Sequence, residues 1–111
     1  MSYRNAALLA LANGVPCTLC GARGTTVACH ANQVALGKGM GIKSPDYFIA
    51  YCCHRCHNQI DGREGTLSRA ERHDLWNRGF QRTVALWFEA GFLVVTKRRR
   101  HDEENGSGVA R

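Results

Sequence analysis

In the last third of the chain, large apolar residues return at intervals of four, four and three: Trp76, Phe80, Val84 and Trp87. That spacing puts them on one face of a helix, with Asp74, Arg78, Arg82 and Glu89 on the opposite side. Ser68 with Glu71 three residues later is a capping box, so the spacing predicts a helix from near Arg69 to Ala90-Gly91. The aromatic stripe reads as core rather than as a base-stacking platform because its period is helical. Phe92-Leu93-Val94-Val95 then reads as a short final strand or an extended piece. Two earlier stretches, GTTVACH (24–30) and YFIAY (47–51), are β-branched and aromatic and predict strands. ANQVALGKGMGIKSPD between them is loop-like through its glycines and Pro45. HNQID after Cys56, closed by Gly62, suits a short helix, and the apolar run near the N-terminus a first one.

The order is therefore N-terminal helix, strand, long loop, strand, short helix, long helix, an α+β arrangement. A chain of 111 residues has room for one modest core. We expect a single domain over residues 1–96. Residues 97–111, KRRRHDEENGSGVAR, have little apolar content and are expected to be a disordered tail.

Six cysteines change this picture. No segment reaches the length of a membrane span, and the run MSYRNAALLALANG is too short and Asn-interrupted for a secretory signal. The expected compartment is the reducing cytoplasm, where cysteines are metal ligands or free thiols more often than disulfides. Cys17-Thr18-Leu19-Cys20 and Cys53-His54-Arg55-Cys56 are separated by 32 residues. Two-residue spacing lets two thiolates of each pair share one tetrahedral ion, so Cys17, Cys20, Cys53 and Cys56 are the expected ligands of a structural zinc. Cys52, adjacent to Cys53, is the competing ligand, and spacing does not separate the two. Cys53 to His57 also spells CxxCH, the pattern of covalent haem attachment. That chemistry needs an exported chain, so haem is not expected; nor is a redox dithiol, because no βαβ pattern surrounds either pair.

The formal charge of +6 points to an anionic partner, nucleic acid first. The tail carries five basic and three acidic residues, and four zinc-bound thiolates subtract about two units from the total. A nucleic-acid surface must therefore be local. Lys38 and Lys43 on the glycine-rich loop and Arg82 on the long helix are candidates for DNA phosphate contacts, and the alternative for each is a solvated side chain. The run GKGMGIK lacks the GxxxxGK[ST] spacing of a nucleotide-binding loop. The KRRR cluster of the tail can add salt-sensitive affinity for nucleic acid.

A combination of residues resembles the HNH (His-Me finger, ββα-metal) endonucleases, and within them the small phage and prophage nucleases of the YbcO type. These are the Pro16-Cys17 step, Ala28 and His30, Pro45-Asp46, CxxCHxxID at 53–61 and RTVALW at 82–87. The likeness covers roughly residues 4–95 and implies a zinc-stabilised ββα-metal core. It also implies a metal-dependent endonuclease that hydrolyses DNA phosphodiester bonds inside a bacterial host. Cys29 stands where many members carry an acidic metal ligand. For the middle Asn of the motif, Asp46 and Asn32 are both candidates.

The chemistry suits these residue types. A histidine titrating near neutrality is fitted to act as general base, and His30 is the candidate. His57 and Asp61 are four apart, share one face of a helix, and can hold a catalytic divalent ion, magnesium, manganese or zinc. The plainer readings are a hydrogen-bonded strand-end His30, a His57 that completes the zinc site, and a solvent-facing Asp61. The competing function is a zinc-binding module that docks DNA or protein without hydrolysis, and Cys29 is the feature that favours it. Substrate form, sequence preference and oligomeric state are not encoded in these patterns.

Overall fold

The computed structural model describes residues 3–39 and 42–97. A short helix α1 (Ala6–Ala10) is capped by the Asn5 side chain, which accepts from the Leu8 amide, and continues into a 3-10 turn, Leu11–Gly14. Strands β1 (Thr26–His30) and β2 (Ile49–Cys53) pair antiparallel in register Thr26↔Cys53 to His30↔Ile49. Helix α2 (His54–Ile60) follows β2 without a linker, and α3 (Arg69–Glu89) begins at the capping box of Ser68 and Glu71. The result is a small α+β unit with a two-stranded sheet.

The second strand runs two residues further than its aromatic composition suggests. Tyr47 and Phe48 lie in a turn closed by the Phe48 amide on the Pro45 carbonyl, so pairing starts at Ile49 and carries Cys52 and Cys53 into the sheet. Helix α2 also starts earlier than expected. Cys53 is its N-cap, its sulfur accepting from the Cys56 amide at 3.5 Å, and Cys56 lies in the first turn rather than before it. Phe92 to Val95 form no strand and are exposed. Of the expected disordered tail, residues 98–111 lie outside the described residues.

Every residue of β2 is buried. Its alternation sends Ala50 and Cys52 toward Trp76, Cys29, Cys56 and Ile60, and Ile49 and Tyr51 toward Ala12 and Trp87. Helix α3 serves both clusters because it covers the edge of β2 that β1 leaves free. At the crossing, a Cβ on Gly79 would meet Ala50 Cβ at 3.1 Å, so only glycine allows this approach without adjustment. Thr83 accepts the edge amide of Tyr51 at 2.9 Å and donates to the Gly79 carbonyl at 2.7 Å. An open strand edge is thereby satisfied by a side chain. The expected stripe is present, with Trp76 and Trp87 buried and Trp76 stacked on Phe80 at 5.0 Å. Gly79 and Thr83, which carry little apolar signal, complete the buried face. The Trp76 indole N–H donates to the Cys29 carbonyl at 2.9 Å, which ties α3 to β1 beside His30.

Candidate functional site

Two groups of metal-ligating side chains lie at the two ends of β1. Near Thr26, the sulfurs of Cys17, Cys20, Cys53 and Cys56 all lie within 4.8 Å of one another. Cys17 and Cys56 are 3.8 Å apart, Cys20 and Cys53 3.6 Å, and all four are free thiols. Local turns aim them. The Gly21 amide returns to the Cys17 carbonyl at 2.9 Å with Gly21 at φ +83°, and the Leu19 and Cys20 amides both donate to Cys17 Sγ at 3.4 Å. Burial alone would raise the Cys17 pKa, but backbone hydrogen bonds from Cys20, Cys53 and Leu19 outweigh it and hold the thiol at about 7. Burial and the adjacent sulfurs push Cys56 up. Four clustered sulfurs that compete for ionisation are a donor set suited to one thiophilic cation. The sulfur positions decide between the adjacent cysteines: Cys53 is in the cluster. Cys52 points into the core, where hydrogen bonding with Cys29 and burial raise its pKa.

At the other end of β1, a cleft of about 320 Å³ is lined by His30, Asn32, His57 and Asp61, with Lys38, Lys43 and Arg63 adding positive charge. His30 is the last residue of β1, and its Nε2 lies 2.7 Å from Asp46 Oδ1. Only 3% of the Asp46 side chain is exposed. Its carboxylate also accepts from Arg4 Nη1 at 3.0 Å and the Asn5 amide at 2.7 Å. Burial would raise the Asp46 pKa, but these partners, His30 foremost, hold it below the usual carboxylate value. An ionised carboxylate only accepts, so Nε2 carries the ring proton and a neutral His30 keeps its lone pair on Nδ1.

Facing it, His57 and the C-cap Asp61 of α2 meet as their spacing predicts, His57 Nε2 to Asp61 Oδ2 at 3.1 Å. Asn32 Nδ2 donates to the other oxygen, Oδ1, at 2.8 Å, and Arg63 lies 3.7 Å from Oδ2. An imidazole and an oriented carboxylate on one helix face fit a divalent cation. The fold thus brings His30, His57, Asp61, Lys38 and Lys43 to one cleft. Arg82 is not in its wall; its guanidinium donates to the Thr18 carbonyl, inside the first cysteine turn, at 2.9 Å. Sequence reasoning missed Arg4 and Arg63. Arg4 is 42 residues from its partner Asp46, and no local signal joins them.

No helix among the described residues is long and apolar enough to cross a membrane. No curated protein matches the chain. A solved structure, described as "Structure of a putative bacteriophage protein from Escherichia coli str. K-12 substr. MG1655", shares its fold. Its TM-score is 0.57 at 24% identity, over 75% of this chain and 98% of that one. Residues 6–92 match the family described as "Putative nuclease YbcO", and the chain belongs to that family.

Proposed function

We propose that the protein is a metal-dependent endonuclease of the HNH type that hydrolyses DNA phosphodiester bonds. The observation that carries this reading is His30, with one ring nitrogen fixed on the buried Asp46 carboxylate, in a basic cleft opposite His57 and Asp61. The family description supports a nuclease, and the bacteriophage title of the structural relative supports a phage or prophage origin in a bacterial cytoplasm.

In this reading Lys38, Lys43 and Arg63 hold the backbone phosphates in the cleft. His30 Nδ1 takes a proton from the attacking water as the new oxygen–phosphorus bond forms and the bond to the leaving oxygen breaks. Asp46 keeps the ring oriented and stabilises the imidazolium that results. His57 and Asp61 hold a divalent ion, with Asn32 fixing the Asp61 carboxylate. That ion supplies stabilisation of the charge that develops on the phosphate and the leaving oxygen. Cys17, Cys20, Cys53 and Cys56 would hold a structural zinc that joins the turn at residues 17–21, the end of β2 and α2.

The test is cleavage of supercoiled plasmid by the wild type and by His30→Ala, each with magnesium, manganese, zinc or chelator, after both are shown to fold and hold equal structural metal. Metal-dependent nicking that falls by about 10²- to 10⁴-fold in the variant supports the assignment. Binding of DNA with no cleavage by either protein would replace it with the zinc-binding module. The completeness of the four-cysteine cluster without the cleft is the observation that favours that second reading.

A further inference from the structure

The cleft pair has a third potential ligand. Cys29, directly before His30 on β1, is fully buried, and its sulfur lies within 4.8 Å of one ligand atom from each of His57 and Asp61. We propose that Cys29, His57 and Asp61 form one open metal site that selects zinc, or another thiophilic divalent ion, over magnesium. This deepens the nuclease reading, and rests on it only for the use of the ion in the reaction.

Three features support the assignment. The first is donor chemistry: magnesium takes oxygen ligands in near-octahedral geometry, whereas sulfur, nitrogen and one carboxylate oxygen are a zinc set. The second is reach. Ligands about 2.0–2.3 Å from a tetrahedral ion stand about 3.3–3.6 Å apart, so donors within 4.8 Å of one another need to close by at most about 1.5 Å. The third is openness. Three protein ligands leave a position free, and His57 and Asp61 line the cleft while Cys29 is rooted in the core. The four-cysteine cluster has no such vacancy. Asn32 supports Asp61 through the oxygen that does not meet His57, which leaves that carboxylate oriented whichever ion binds.

The experiment is a cobalt(II) titration of the full chain, read by absorbance, with metal content measured in parallel after loading with zinc. The wild type should bind two ions per chain, both with thiolate-to-cobalt charge-transfer bands. Cys29→Ser should keep the first equivalent, held by four cysteines, and lose the sulfur bands of the second. His57→Ala, at a part-exposed position that does not disturb the core, should also bind a single ion. Retention of the first equivalent shows that each variant is folded. A second wild-type ion without sulfur bands, or one ion only, would overturn the proposal. His57→Ala decides the matter if Cys29→Ser does not fold: sulfur bands from a second ion that survive His57→Ala would also overturn it. Plasmid cleavage separates the two readings. A sulfur-bound second ion without cleavage leaves the site standing and removes the nuclease. Cleavage with magnesium and no second sulfur signal does the reverse.

Discussion

The two ends of β1 carry metal-ligating groups of opposite design. The four-cysteine cluster is uniform in donor type and built by two turns in which each pair of ligands is separated by two residues. The cleft is mixed in donor type and assembled from distant parts: the strand end His30, Asn32 and the α2 residues His57 and Asp61 line it, and Asp46, paired with Arg4, holds His30 from behind. A closed set of thiolates suits a structural ion, whereas mixed ligands beside an oriented histidine and open solvent suit a reaction. On the proposed reading, stability and chemistry use the same short strand from opposite ends, so perturbations at each end should separate cleanly.

The largest effect is expected at the cysteines. Structural zinc contributes on the order of 10–16 kcal/mol of apparent binding free energy, as much as the whole stability of a typical small domain. Cys56→Ser, or a strong chelator on the wild type, should abolish the cooperative thermal transition followed by circular dichroism, and cleavage with it. His57→Ala should leave that transition within a few degrees of the wild type. A chelated protein that melts unchanged would show that the fold does not depend on this cluster, and the contrast between the two ends would collapse.

Legibility in the sequence follows the same division. The cysteine cluster is readable because two-residue spacing is a local property, and α3 because its period and capping box lie within one segment. The choice between Cys52 and Cys53 is not, since only the folded backbone brings the Cys53 sulfur to the other three and sets Cys52 against Cys29. His57 and Asp61 are readable as a pair on one helix face, but Cys29 joins them across the fold. Asp46 is one of two candidates for the middle position, and the structure gives Asp46 and Asn32 different jobs: Asp46 holds His30, and Asn32 holds Asp61. The shift of β2 toward the cysteines arises because Tyr47 and Phe48 have strand-like composition yet sit in the turn that presents Asp46.

Asp46→Asn should act on both stability and chemistry, at an intermediate scale. It weakens a buried carboxylate held by Arg4, His30 and the Asn5 amide, at a cost of about 1–3 kcal/mol. Because the folded pKa of Asp46 is depressed, its contribution is fully present at neutral pH and lost as pH falls from about 4 through that lower value. Denaturant titrations at pH 7 and pH 3 should therefore show a smaller loss of stability on acidification in the variant than in the wild type. Cleavage should fall by about 10- to 100-fold, the scale on which residues that orient a site act, and less than in His30→Ala. An Asn variant as active as the wild type would mean that His30 does not need its carboxylate.

Lys43→Ala should leave the fold untouched and act on binding alone. Removing a cation that neutralises one phosphate lowers the slope of log affinity against log salt by about 0.9 on duplex DNA. DNA binding measured from low to moderate salt should therefore show a slope reduced by about one. An unchanged slope would remove the loop from the DNA path.

Arg82→Ala provides the smallest expected effect and the sharpest control. Arg82 and Lys43 are both exposed cations, and composition gives no reason to rank them. Their surroundings do: Lys43 lines the cleft, whereas Arg82 commits its guanidinium to the Thr18 carbonyl between Cys17 and Cys20. Removing Arg82 should cost about 0.5–1.5 kcal/mol, the worth of one hydrogen bond, with no change in the salt slope. The outcome to look for is a lower melting temperature with DNA affinity retained, the inverse of Lys43→Ala. If instead Arg82→Ala lowers the salt slope by about one at unchanged stability, α3 belongs to the DNA surface. The nucleic-acid interface would then extend past the cysteine turn, and the two ends of β1 would no longer divide structure from binding.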